Sequence, residues 1–113
     1  MSGTGRPVAS EDEMFLVLAT LQSASPLTLA GLSDLSGIEP RHVQAAVERM
    51  RREGRALICS GSGGYWLPAT LAEAEANIAR RRARAMQQLI NVRGERRLLR
   101  RLQAPMMLWR DVA

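Results

Sequence analysis

Gly37-Ile38-Glu39-Pro40-Arg41-His42-Val43-Gln44-Ala45-Ala46-Val47-Glu48-Arg49-Met50-Arg51-Arg52-Glu53-Gly54 runs on through Arg55-Ala56-Leu57-Ile58-Cys59 to Ser60-Gly61-Ser62-Gly63-Gly64-Tyr65-Trp66-Leu67-Pro68. Gly37 supplies a sharp turn, since glycine takes positive φ without a steric cost. Ile38 is placed to plug a core at that turn. Pro40 suits the first position of a helix, where the absent N–H has no intrahelical partner. Val43, Ala46, Val47 and Met50 fall on one stripe. Arg41, Ala45, Glu48 and Arg52 lie opposite, flanked by Gln44 and Arg49. Gly54 closes the helix. Ala56–Cys59 reads as a strand, Ser60–Gly64 as a glycine tip and Tyr65–Leu67 as the return strand. Pro68 stops the pairing.

Upstream, Ser10 with Glu13 three residues later has capping-box spacing, and Glu11, Asp12 and Glu13 suit the positive end of a helix. The helix that follows is strongly apolar (Phe15, Leu16, Leu18, Ala19, Thr20, Leu21) and is expected to end near Ser23, before Ser25-Pro26. Thr28 caps a short second helix from Leu29 to about Ser36, with Leu29, Leu32 and Leu35 at three-residue spacing. Residues 1–9 are small or helix-breaking and are expected to be a disordered N-terminus.

Downstream, Thr70 and Glu73 repeat the capping-box spacing and open a long helix running towards Leu102. Leu71, Ala74, Ile78, Ala85, Leu89 and Val92 keep one stripe near a 3.5-residue repeat. Arg82 interrupts it, and Gly94 is expected to weaken or bend the helix. The residues at 104–113 form an apolar tail containing Met106-Met107-Leu108-Trp109, a candidate protein-binding segment.

All sixteen basic residues are arginine, and the chain's formal net charge is +5. Residues 1–70 hold six arginines against seven acids, whereas Arg80 to Arg101 holds nine against Glu95 alone. The charge favours an acidic partner. The single cysteine, Cys59, excludes an internal disulfide and a multi-cysteine metal site, and its apolar surroundings imply a buried thiol. His42, the only histidine, has no companion ligands. No serine, cysteine or carboxylate pair has catalytic spacing, and the glycines lack the lysine of a phosphate loop. An enzyme, a metal and a cofactor are therefore not expected. No apolar run approaches the ~20 residues that span a bilayer, and no basic-then-apolar signal pattern opens the chain, so a cytoplasmic location without membrane contact is expected.

Three helices followed by a glycine-tipped hairpin imply a mainly α chain with a small β-hairpin: a winged helix-turn-helix over residues 10–69, then an arginine-rich helix over 70–103. Gly37 to Gly54, with Ile58 and Gly64-Tyr65-Trp66-Leu67, resembles the winged helix of biotin-repressor type. Such domains carry an apolar recognition helix ending in leucine-arginine-x-x-glycine and a glycine-tyrosine-x-leucine wing. Met50-Arg51-Arg52-Glu53-Gly54 and Gly64-Tyr65-Trp66-Leu67 are similar to both. The likeness covers about 55 residues, from the first helix to Pro68. The whole chain is more loosely similar to small prophage DNA-binding proteins. Three departures stand out. Glu39-Pro40 replaces the usual serine before Arg41, the wing tip has no arginine, and nothing resembles the biotin-binding ligase domain.

The resemblance implies sequence-specific binding of double-stranded DNA, as in a small transcriptional regulator. Arg41 is placed for a base edge and Gln44 for an adenine edge, with His42 beside them. Thr28, Arg49, Arg52 and Arg55 are placed for phosphates, and Ser60 and Ser62 of the wing tip for the same. The stripe Ile78, Ala85, Leu89 and Val92 is expected to pair with a second copy as a homodimer or higher oligomer. A phage DNA-recognition subunit of small-terminase kind is an alternative. So is a protein-interaction winged helix that assembles a complex without touching DNA.

Overall fold

Side-chain caps set three of the four helix starts. The Ser10 hydroxyl accepts from the Glu13 amide while the Glu13 carboxylate accepts from the Ser10 amide, opening α1 (Glu11–Ala24). Thr28 accepts from the Gly31 amide at the head of α2 (Leu29–Ser36), and Gly37 ends that helix with φ 75°. Pro40 occupies the first turn of α3 (Pro40–Arg52). β1 (Cys59–Gly61) and β2 (Gly64–Trp66) form an antiparallel hairpin, and α4 spans Leu71–Val112. A computed structural model of the protein describes the backbone of residues 7–112 and the side chains of residues 7–103. The chain is thus mainly helical, with one small hairpin and a long C-terminal helix. It divides into two compact units, Met1–Asn77 and Ile78–Ala113.

In the first unit, Val43, Ala46, Val47 and Met50 of α3 are buried as their spacing predicts, and Ile38 fills the turn before them. The first two helices differ from expectation. The buried row of α1 is Met14, Val17 and Leu21, with Leu18 partly covered, while Phe15 is 72% and Leu16 44% exposed. α1 meets α3 along one i, i+3, i+7 row, so apolar residues off that row face solvent. In α2, Leu32 is buried and Leu29 packs against the core, but Leu35 is exposed. Ala9, read with the disordered N-terminus, is also buried, and residues 1–6 lie outside the described residues.

The hairpin is shifted from the expected Ala56–Cys59 and Tyr65–Leu67. Cys59 pairs with Trp66, Ser60 with Tyr65 and Gly61 with Gly64. In this register the next hydrogen-bonded pair would be Leu57 with Pro68, and Pro68 has no N–H to donate. Ile58 and Leu67 turn their backbone groups away from the ladder: the Ile58 carbonyl accepts from the Arg51 guanidinium at 3.0 Å and 2.6 Å, and the Leu67 amide donates to the Ser25 hydroxyl at 3.1 Å. β2 instead gains a neighbour on its other edge: Leu27 and Tyr65 exchange amide–carbonyl bonds of 2.9 Å and 2.7 Å.

α4 begins on the hairpin. Glu73 accepts from the Trp66 indole N–H and from the Ala69 amide, each at 2.9 Å, and its own amide donates to Thr70. Ala74 and Asn77 are the buried residues here, whereas Leu71 is 73% exposed. The inward row therefore runs through Ala74 and Asn77, and Leu71 and Ile78, which share a sequence stripe with Ala74, lie off it. Asn77 is fully satisfied: its amide nitrogen donates to the Ser60 carbonyl, and its oxygen accepts from the Ser60 amide.

In the second unit the helix continues through Gly94 rather than stopping at Leu102. Ile78, Leu89 and Val92 are 45%, 50% and 42% exposed, and Ala85 is exposed too. The side chains of the Met106–Trp109 tail lie outside the described residues.

Gly64 has φ 103°, and a Cβ there would stand 2.3 Å from the Leu27 carbonyl oxygen and 2.7 Å from the Thr28 Cα. Gly63, one residue earlier, has nothing within 4 Å. Gly64→Ala is therefore expected to cost at least about 2 kcal/mol from backbone strain and displacement. Gly63→Ala should leave the chemical-denaturation midpoint nearly unchanged, and equal effects would refute the close approach.

Candidate nucleic-acid interface

The outward face of α3 is the focus, because Val43, Ala46, Val47 and Met50 commit the other side to the core. Arg41, Gln44, Glu48 and Arg52 are exposed along it, with Ala45 half-covered. Pro7, Val8 and Ala9 run beside this face, and together they border an open groove of about 560 Å³ lined also by Arg41, Gln44, Ala45, Glu48, Arg49 and Arg52. Arg41 and Arg52 make no ion pair among the described residues. Both guanidiniums are accordingly available to a ligand in the planar, bidentate form that suits phosphate or a guanine edge. Thr28 is exposed at the α2 N-cap, where its hydroxyl oxygen already accepts from Gly31. Ser62 is exposed in the hairpin turn.

Four residues expected on the contact surface are engaged inside the chain instead. Arg49 donates to Glu53 at 2.9 Å, to Glu11 at 3.2 Å and to the Ala9 carbonyl. Arg55 meets Glu11 at 2.7 Å and Glu53 at 2.8 Å. His42 Nδ1 lies 3.0 Å from the Glu13 carboxylate, and its Nε2 is 4.0 Å from Glu39. Ser60 accepts from Arg51 at 2.9 Å and shares both backbone groups with Asn77. Glu11 and Glu13 in the first turn of α1 draw Arg49, Arg55 and His42, and Glu53 shares the two arginines, whereas Ser60 is held by Arg51 and Asn77. Glu39 gives no side-chain cap to α3.

Two residues that hold this surface in place were not singled out by sequence. Arg51 fastens the strand entry to α3 through Ile58 and Ser60. Asn77 fastens β1 to α4 and is the buried polar side chain among the described residues. Position alone gives a faint signal for Arg51, which follows buried Met50 at the helix edge. For Asn77 the signal is three-residue spacing from Ala74, readable only once that row is known to face inward.

The ion pairs shift their carboxylates. The Arg55 hydrogen bond, with the charges of Arg55 and Arg49, holds Glu11 below the usual carboxylate range. The Arg49 hydrogen bond does the same for Glu53. For Glu13 the main cause is the Ser10 amide, followed by His42. Arg55 is raised in turn by its hydrogen bond to Glu11. A carboxyl whose value is depressed by folding adds stability that is complete above its unfolded value and disappears as pH falls through the folded one. The melting temperature is therefore expected to be lower at about pH 3 than at about pH 6, with the gap narrowing at high salt because these groups are exposed. Equal melting temperatures at the two pH values would remove the three carboxylates from the account.

The chain matches no protein-family model, and no curated protein or solved structure matches it significantly.

Proposed function

We propose that the protein is a sequence-specific double-stranded DNA-binding protein, a small transcriptional regulator built on a winged helix-turn-helix. α2, the Gly37 turn and α3 would be the reading unit, and the β1–β2 hairpin the wing. The observation that carries this reading is the outward face of α3, where Arg41, Gln44 and Arg52 are exposed and both arginines lack an ion pair among the described residues. A helix buried on one side and presenting arginine and glutamine on the other matches the chemistry of major-groove base edges. Arg41, in the first turn, is the base-reading residue of this proposal. Gln44 reads an adjacent base, and Arg52 and Thr28 hold phosphates.

A regulator of this kind doubles its contact by dimerising. Ile78, Ala85, Leu89 and Val92 give the second unit an exposed apolar stripe at helical spacing, which we assign to pairing with a second copy. A phage packaging subunit would share the DNA-reading surface, and a target selected from random duplexes distinguishes the two roles by where it lies.

Arg41→Ala is expected to weaken binding to the selected site by about 1–3 kcal/mol and to flatten preference at one base pair. Equal losses on the selected site and on random duplex would remove the base contact. In solution sizing the protein should elute as a dimer of its 12.5 kDa chain, and Leu89→Arg should return it to monomer. A wild-type monomer at all concentrations would refute the stripe's role.

A further inference from the structure

Within the second unit the arginines fall into two groups along the helix. Arg80, Arg81, Arg82 and Arg84 precede an uncharged stretch, Ala85 to Val92, and a second arginine group begins at Arg93. With about 3.6 residues per turn, Arg93, Arg96, Arg97, Arg100 and Arg101 cover one side of α4. Leu98, Leu99 and Leu102 cover the opposite side, together with Glu95. None of these five arginines makes an ion pair among the described residues.

Gly94 borders the arginine side. Glycine is the poorest helix former after proline, so its place inside a long helix needs a reason. The chain itself supplies none. Gly94 has no positive φ, and a Cβ there would meet only the Arg97 Nη2, at an ordinary 3.9 Å. Helical side chains lean towards the N-terminus, so Arg97 and Arg101, three and seven residues further on, lean back towards the glycine. The result is an open concavity of about 440 Å³ lined by Gly94, Arg97, Arg100 and Arg101.

We propose that this concavity is a phosphodiester cradle, through which the second unit grips the backbone of a nucleic-acid duplex without reading its sequence. Guanidinium forks bind phosphate oxygens in pairs, and the missing side chain at Gly94 lets a phosphate settle between them close to the helix axis. Arg93, Arg97 and Arg101 recur about every 6 Å along the helix, against a duplex that carries one negative charge per about 1.7 Å. An anionic membrane fits less well. Inserting Leu98, Leu99 and Leu102 among lipids would carry the Glu95 carboxylate, on the same side of the helix, into an anionic surface. A duplex engages the arginine side and leaves the leucines elsewhere. The cradle stands independently of the base-reading role of α3.

The test uses the full chain carrying Arg41→Ala and Gln44→Ala, which silence the proposed base contacts, and a random duplex followed by fluorescence anisotropy. Between about 50 and 200 mM salt, adding Arg97→Gln and Arg101→Gln is expected to lower the slope of log affinity against log salt by about 2 and to weaken binding about tenfold. Gly94→Leu is the sharper probe, because it keeps every charge and favours the helix. It is expected to weaken duplex binding several-fold while circular dichroism shows helicity retained. Duplex binding unchanged by Gly94→Leu would overturn the cradle in favour of diffuse attraction, and a slope unmoved by the arginine changes would overturn it outright. Sedimentation with phosphatidylserine vesicles that Leu99→Ser abolishes, without duplex binding, would assign the segment to a membrane and overturn it too. Failure of the α3 reading shows separately, as a site preference untouched by Arg41→Ala.

Discussion

The exchange of two backbone hydrogen bonds between Leu27 and Tyr65 ties the hairpin to the segment between α1 and α2. Because Gly64 lies directly over the Leu27 carbonyl, the return strand can approach only with no side chain at that position. Everything after it depends on that approach. It sets where Trp66 emerges, Trp66 donates to Glu73, and Glu73 orders the first turn of α4. From there Asn77 reaches the hairpin and closes the circuit on both backbone groups of Ser60. An amide side chain is apt here, since it offers one donor and one acceptor to a strand residue, and a buried backbone pair without partners is costly.

Electrostatics divide the arginines of the first unit by position. Glu11 and Glu53 hold Arg49 and Arg55 close to the body of the domain. Arg51 turns inward for a different reason, to satisfy the Ile58 carbonyl. Arg41 and Arg52 are left facing outward. Exposed ion pairs of this kind contribute little individually to stability. Their larger consequence is to narrow the cationic surface of α3 to its first turn and its last. The densest group of arginines, Arg80 to Arg101, lies beyond Asn77.

Much of this architecture was legible from residue order. α3 was readable because Pro40, a four-residue apolar stripe and Gly54 all agree, and each buried residue of that stripe is where its period puts it. The caps at Ser10, Thr28 and Thr70 were equally local, since each bond spans three residues. α1 was harder: with apolar residues nearly all round, periodicity could not say that Val17 faces inward and Phe15 outward. The hairpin limits failed for a related reason. Leu27 takes both backbone groups of Tyr65, which leaves Cys59 and Trp66 to carry the ladder bonds and puts the next bonded pair on Pro68, which has no N–H. The outward face of α3 was legible as a pattern, but the diversion of His42, Arg49 and Arg55 was not.

The sequence by itself determined the helices, the turns at Gly37 and Gly54, a glycine-tipped hairpin and the separation of charge between the two parts of the chain. Each of these rests on local conformational preference or short-range periodicity. Tertiary structure alone decided which arginines remain available, why Gly64 admits no side chain, and that Asn77 rather than Leu71 or Ile78 faces the hairpin. Those outcomes depend on distances between groups far apart in the chain, where a carboxylate of α1 or a carbonyl at Leu27 sets a constraint that no local window contains.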